Sequence, residues 1–208
     1  MEIEYVLPNE IEKRSFEIIE SELGDRKIPE DIKPIVLRAI HTTADFDYYD
    51  NLCFSENAVA VFSEILRKGA VIVTDTNMAK SGINKKALEK NGCECMCFMS
   101  DEDVAESAKI NGTTRAVASV DKASKLGKPV IYAVGNAPTA LIRLAEHIKN
   151  GIFRPAFVIG VPVGFVNVVA SKELIMECGV PYIVAKGRKG GSNVAAAICN
   201  ALLYMTGR

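Results

Sequence analysis

The 208-residue chain carries only two histidines, His41 and His147. Imidazole ordinarily titrates near neutral pH, which suits it to give and take protons. His41 follows an apolar helical face (Ile35, Val36, Leu37, Ile40) and opens the polar run His41-Thr42-Thr43-Ala44-Asp45-Phe46-Asp47. It is therefore the first candidate for a general acid or base, although a lone histidine at a helix end is more often structural. His147 falls inside an expected helix beside Lys149 and before Gly151. Interaction with the helix C-terminus would give it a structural role. His41, Asp45 and Asp47 could be drawn as metal ligands, but a solvated loop accounts better for the two aspartates.

Cys93, Cys95 and Cys97 form the tract CECMC. On a strand they would share one face at intervals of about 6.6 Å. One ion cannot bridge thiolates set so far apart, since Zn–S bonds are about 2.3 Å. Structural cysteines in a buried strand are expected, with no metal. Six cysteines in an intracellular chain argue for reduced thiols rather than a disulfide scaffold. No GxxxxGK[ST], no GxGxxG after a strand, no HExxH and no paired Cys-x2-Cys occurs.

Four short polar turns are the other chemically suggestive feature: Thr74-Asp75-Thr76-Asn77, Gly135-Asn136-Ala137-Pro138-Thr139, Gly160 to Phe165, and Gly187-Arg188-Lys189-Gly190-Gly191-Ser192. Glycine lets backbone N–H groups approach a ligand, and helix starts offer unpaired donors to carboxylates or phosphates. Each alone reads as an ordinary strand-to-helix turn. Together they suggest one wide site.

The elements that must hold these turns read as strands alternating with helices. Ala70–Thr74, Cys93–Phe98, Pro129–Val134, Ala156–Val161 and Pro181–Ala185 are mostly continuous apolar runs, as a parallel sheet covered on both faces requires. Helices are expected over 55–68, 84–91, 101–125 (one long or two short), 138–150, 168–178 and 192–206. Two more, over 9–23 and 29–43, precede the first strand. They could cover the sheet edge, swap onto a partner or close the site. The alternation predicts a doubly wound five-stranded sheet with helices on both faces, and ligands bind beyond the carboxyl ends of such strands. No linker, repeat or low-complexity segment interrupts residues 1–208, so one domain is expected.

The chain is 49% hydrophobic with mean hydropathy +0.13 and net charge -1. That supplies a core and excludes disorder. Charge is polarised: residues 1–60 sum to -8 and residues 107–208 to +9. This reads as solvated surface of two signs, as a basic half receiving a small anion, or as two halves attracting across an oligomer. No basic stripe implies nucleic acid. No apolar run reaches the roughly 18 residues of a membrane span, and the acidic start has no signal-peptide stretch. A cytoplasmic protein is expected.

The run Arg38 to Asp47 (RAIHTTADFD) resembles the histidine motif of the precorrin-8X methylmutases, including the cobalt-precorrin-8 methylmutases of cobalamin biosynthesis. The likeness continues through Asp75-Thr76-Asn77-Met78 with Gly82-Ile83, Thr113-Thr114-Arg115, GNAPTAL from Gly135, GVPVGFV from Gly160, Ser171-Lys172-Glu173, and Gly187-Arg188 with Gly190-Gly191-Ser192. It extends from Ser15 to the last helix. The CECMC cysteines stand outside the pattern. The resemblance implies a flavodoxin-like three-layer α/β/α fold and a homodimer with sites at the subunit interface. It implies an isomerase that moves a methyl group from ring carbon 11 to ring carbon 12 of a contracted tetrapyrrole by a [1,5]-sigmatropic shift, giving hydrogenobyrinate or cobyrinate. No separate cofactor is expected, and cobalt, when present, belongs to the substrate. In this sequence the proton-transferring histidine falls at His41. By motif position the resemblance implies that Ser15 and Arg38 would contact substrate, and Thr42, Gly135, Asn136, Gly190, Gly191 and Ser192 are expected to bind it as well.

A large flat polycarboxylate needs a broad rim, backbone donors and arginines, and the +9 half suits it. Arg115 and Arg188 could bind carboxylates in forked geometry. A surface ion pair is an equal reading for Arg115 and a weaker one for Arg188, given its glycine-rich neighbours. Two rival classes stand beside the isomerase. One is a flavodoxin-like enzyme taking a phosphorylated ligand at GRKGGS, and the other is a non-catalytic tetrapyrrole-binding or carrier protein. The cobalt substrate is favoured over the metal-free one, because HTTADFD looks closer to that branch and free thiols suit an anaerobic cell.

Overall fold

The apolar runs become the parallel strands of one sheet in a computed structural model that describes residues 4–206. In chain order the elements are α1 (Ile11–Leu23), α2 (Lys33–Thr43), α3 (Tyr48–Asn51), β1 (Leu52–Phe54), α4 (Ala58–Arg67), β2 (Val71–Thr74), α5 (Asn77–Gly82), α6 (Lys85–Lys90) and β3 (Glu94–Met96). They continue with α7 (Glu102–Ile110), α8 (Arg115–Ala123), β4 (Val130–Val134), α9 (Pro138–Lys149), β5 (Phe157–Gly160), α10 (Val168–Glu177), β6 (Tyr182–Ala185) and α11 (Ser192–Thr206).

The sheet order is β1-β6-β5-β4-β2-β3. Five strands are parallel, and their order is the doubly wound one of flavodoxin-like folds. Strand side chains alternate between two cores. Ile131 and Ala133 of β4 join the cluster under α2, α4 and α11. Val130, Tyr132 and Val134 join the cluster under α7 to α10. Burial on both faces is why the strands read as continuous rather than alternating hydrophobic segments.

The sheet has six strands, not the expected five. β1 pairs antiparallel with β6, Leu52 opposite Ala185 and Phe54 opposite Ile183. It is three residues long at an edge, so no apolar run marks it. The cysteine strand is shorter than expected: only Glu94–Met96 pairs, at the other edge, with Glu94 exposed and Cys93 and Cys97 buried at its ends. The stretch 101–125 resolves into two helices, and the short α3 and α5 were not expected.

The leading helices neither cover a sheet edge nor extend away. α2 buries Ile35, Val36, Leu37, Ala39 and Ile40 against the core that holds α11, and α1 adds Ile19 and Leu23. α11 lies between sheet and α2, which explains why it is apolar nearly all round. Among the described residues no helix is long and apolar enough to cross a membrane.

Candidate functional site

Parallel strand order reverses between β2 and β4, and the polar turns leave the carboxyl ends of these and the neighbouring strands. Asp75, the residue after β2, is 1% exposed. Its Oδ1 accepts the Gly135 N–H at 2.8 Å, and its Oδ2 accepts those of Asn136 at 2.8 Å and Ala137 at 2.7 Å. Burial pushes its carboxyl up, against the pull of these three donors. A protein carboxylate thus fills the cradle that a phosphate would need at this turn. The N–H groups of Gly135 and Asn136, expected to face a ligand, are committed to Asp75. The side chain of Asn136 remains exposed.

The glycines serve close backbone packing. A Cβ on Gly135 would lie 2.7 Å from the Ser192 Cα, and one on Gly190 would lie 2.1 Å from the Val161 carbonyl oxygen. The Gly191 N–H donates to that same oxygen at 2.9 Å. The Ser192 hydroxyl lies 2.8 Å from that of Thr76, which caps α5 by accepting from the Ala79 N–H. The turns after β2, β4, β5 and β6 are therefore one interlocked rim. Above it Arg188 is exposed, its guanidinium 5.4 Å from the Phe165 ring centroid. Arg115 opens α8, exposed, and donates to the Met99 carbonyl at 3.4 Å. The preceding residue ties the start of α8 to the first turn of α9, the Thr114 and Thr139 hydroxyls lying 3.1 Å apart.

The rim also rests on Lys172, which sequence reasoning left unassigned. It is 1% exposed, and its Nζ donates to the Gly187 and Lys189 carbonyls at 2.8 Å each. Burial pushes its pKa down to about 8. The available signal was its register: Val168, Lys172 and Ile175 fall on one helical stripe, so an apolar face carries a cation.

The second group of expected site residues lies between α1 and α2. His41 is exposed in the last turn of α2, its ring edge-on to Phe16 at 5.3 Å between centroids. Arg38, one turn earlier, has its guanidinium between the Phe16 and Tyr204 rings at 5.5 and 5.0 Å and pairs with Glu12 at 2.8 Å. Ser15 is half-buried beside Phe16 and donates to the Ile11 carbonyl at 2.8 Å. Thr42 is exposed. After His41 the chain turns sharply. Ala44 takes the left-handed conformation (φ 52°), the Asp45 N–H donates to the Thr43 hydroxyl, and the Asp47 N–H donates to Asp45 Oδ1.

This turn is tied to the rim. Lys189 Nζ lies 2.6 Å from Asp45 Oδ2 and 2.6 Å from Asp47 Oδ2. The ammonium holds the Asp45 carboxyl below the usual range, and the two aspartates raise Lys189. Asp45 and Asp47 are thus an ion-pair anchor rather than merely solvated. The rim group (Arg115, Gly135, Asn136, Arg188, Gly190, Gly191, Ser192) and the helical group (Ser15, Arg38, His41, Thr42) are linked through Lys189, although 142 residues separate it from Asp47.

His147 stands apart from both. It is buried, with Nε2 2.8 Å from Asp121 Oδ1, a carboxylate that also binds Arg143 at 2.7 Å. Its role is structural, but its partner is a carboxylate of α8, not the end of its own helix. Among the described residues no cluster of three or more His, Cys, Asp or Glu has the spacing to hold a metal ion.

Residues 10–205 match the family model described as precorrin-8X methylmutase. The chain is 46% identical over 203 residues to a cobalt-precorrin-8 methylmutase of Salmonella typhimurium, covering 95% of each. It is 44% identical over 197 residues to one of Priestia megaterium, covering 95% of this chain and 88% of that one. A solved precorrin-8X methyl mutase from Thermus thermophilus superposes with a TM-score of 0.86 at 39% identity, over 95% of this chain and 97% of that one. The fold and the similarity over nearly the whole chain agree, and the chain belongs to the precorrin-8X methylmutase family.

Proposed function

We propose that this chain, acting as a single domain, isomerises cobalt-precorrin-8 to cobyrinate by moving a methyl group from ring carbon 11 to ring carbon 12. Metal-free precorrin-8X is the less favoured substrate. Family membership supports the reaction class, and the names of the two relatives above support the cobalt form. The observation that carries the site assignment is the Lys189 tie, which brings the His41 turn to the rim where substrates of doubly wound sheets bind.

In this reading His41 gives a proton to a ring nitrogen and takes one back after the shift. The bond from carbon 11 to the methyl group breaks as the bond to carbon 12 forms, so nothing is gained or lost overall. No nucleophile and no electron carrier is required of the protein. Arg188 and Arg115 bind peripheral carboxylates at the rim. Arg38 contributes when a substrate carboxylate displaces Glu12. Cobalt is cargo of the macrocycle.

The working unit in this reading is a cytoplasmic homodimer. The leading helices do not argue for it, because α2 spends its apolar face inside its own subunit. Support comes from the rim, where Met78, Phe165 and Val166 are 70%, 80% and 79% exposed, an apolar surface suited to a macrocycle face and a second subunit. The deciding experiment follows absorbance with cobalt and metal-free substrates side by side. A progressive spectral change with the cobalt substrate is expected. A static shift without turnover would instead indicate a carrier.

A further inference from the structure

We propose that Lys189 is a positioning residue: seated from below by Lys172 through its own carbonyl, it clasps Asp45 and Asp47 and so fixes the turn that carries His41 against the glycine-rich loop. The inference deepens the reading above and rests on it.

Two independent contacts converge on this residue. Beneath the loop, the Lys172 ammonium is buried and has two backbone carbonyls, those of Gly187 and Lys189, as its hydrogen-bond acceptors. A buried charge without a carboxylate partner lowers stability relative to an apolar side chain of similar size. Here its two contacts pin the backbone on either side of Arg188. Above the loop, the Lys189 side chain bridges two carboxylates at 2.6 Å each. A single exposed pair contributes little, but one ammonium shared by two carboxylates on a turned segment is a network. The turn is shaped to present both: Ala44 redirects the chain, and the Asp45–Asp47 hydrogen bond sets the two carboxylates side by side.

A pre-set turn matters for proton transfer, because misplacing a reacting group by about 1 Å can cost on the order of a hundredfold in rate. Binding is less sensitive, since it is spread over several turns and arginines. The clasp is accordingly expected to act on turnover rather than affinity, which separates it from a carboxylate-binding role for Lys189.

The test uses the whole protein with Lys189→Met, Lys189→Arg, the pair Asp45→Asn with Asp47→Asn, and Lys189→Met combined with that pair. All three positions reach solvent, so folding is expected to survive. In the unliganded protein, amide hydrogen exchange over residues 43–47 should quicken several-fold in Lys189→Met and in the double Asn variant. With substrate, kcat should fall about ten- to a hundredfold in both. Product affinity, titrated by absorbance, should stay within about twofold of the unaltered protein, Lys189→Arg should recover most of the rate, and the combined variant should be no slower than either parent. The proposal is overturned by unchanged exchange, by kcat within about twofold of the unaltered protein, by losses that multiply in the combined variant, or by affinity falling in step with kcat. Failure of the unaltered protein to turn over would count against the proposed reaction alone, because the exchange experiment needs no substrate and still decides the clasp.

Discussion

His41, Arg38 and Arg188 answer to different demands, and single substitutions should separate them. His41→Ala is expected to fold and bind the tetrapyrrole, because the imidazole is exposed and packs edge-on against Phe16. Its turnover should fall by roughly a hundred- to ten-thousandfold, the usual contribution of a positioned acid or base. His41→Asn should match it, keeping polarity without a usable proton. Near-normal saturated rates in both folded variants would remove His41 from the mechanism. Arg188→Ala should weaken product binding by about 1.5–3 kcal/mol through loss of a charge-assisted hydrogen bond, more at low salt than at high. Arg38→Ala should do the same and also lower the thermal midpoint, because this guanidinium packs between Phe16 and Tyr204. Titration with unchanged affinity in both arginine variants would strike them from the site. His41 stands out as a candidate in the sequence because only two histidines occur and this one borders a polar motif. Asp75 and Lys189 do not, because an aspartate after a strand and a lysine in a glycine-rich loop are ordinary until their partners, 60 and more than 140 residues away, are seen.

At the level of elements, legibility followed burial. Four of the five parallel strands, β2, β4, β5 and β6, are buried on both faces or nearly so, which writes them into the sequence as apolar runs, whereas β3 at the edge leaves Glu94 exposed and α11, enclosed by its neighbours, is apolar nearly all round. β1 has three residues held by β6, and α3 and α5 have four and six, too short for any period to register. The turns carried no mark of their internal hydrogen bonds, so glycines expected to open the backbone to a ligand instead bring turn against turn. Two substitutions probe these turns. Ala44 sits in the left-handed region at φ 52°, ending α2 with its N–H on the Ile40 carbonyl. Ala44→Gly should therefore stabilise by up to about 1 kcal/mol, measured by denaturant unfolding, and a loss of stability would contradict this account of the turn. Asp75→Asn keeps the shape but replaces one acceptor oxygen with an amide that faces N–H donors. It should lower stability by about 1.5–3 kcal/mol and loosen the GNAPT turn. Amide exchange at Gly135 to Ala137 unchanged from the unaltered protein would show that the carboxylate does not organise that turn.

At the scale of the whole molecule, one buried ammonium leaves a signature in the dependence of stability on pH. Lys172 is pushed down to about 8 by burial, from an ordinary value of 10.5. Below pH 8 the lysine is protonated whether folded or unfolded, and the unfavourable burial of its charge is fully present. Between pH 8 and 10.5 the unfolded chain holds a proton that the folded chain has released, so this residue makes stability rise with pH. Above 10.5 both states are neutral and the contribution is flat. The total is at most about 3.5 kcal/mol, from about 2.5 pK steps at about 1.4 kcal/mol each. Cys93 and Cys95, raised to about 11 and about 12 by burial, slope the opposite way in the alkaline range. The quantity to measure is therefore the difference between the unaltered protein and Lys172→Met. The variant should be as stable or more stable at pH 7, because the carbonyls it frees belong to exposed residues that water can serve, and its advantage should shrink as pH rises to 9.5. The neutral amine still has two N–H donors for two carbonyls, so the folded protein should keep its loop in place across this range while the variant does not. A stability difference that stays constant from pH 7 to 9.5 would show that Lys172 carries no such shift, and would leave its two carbonyl contacts as the whole of its role.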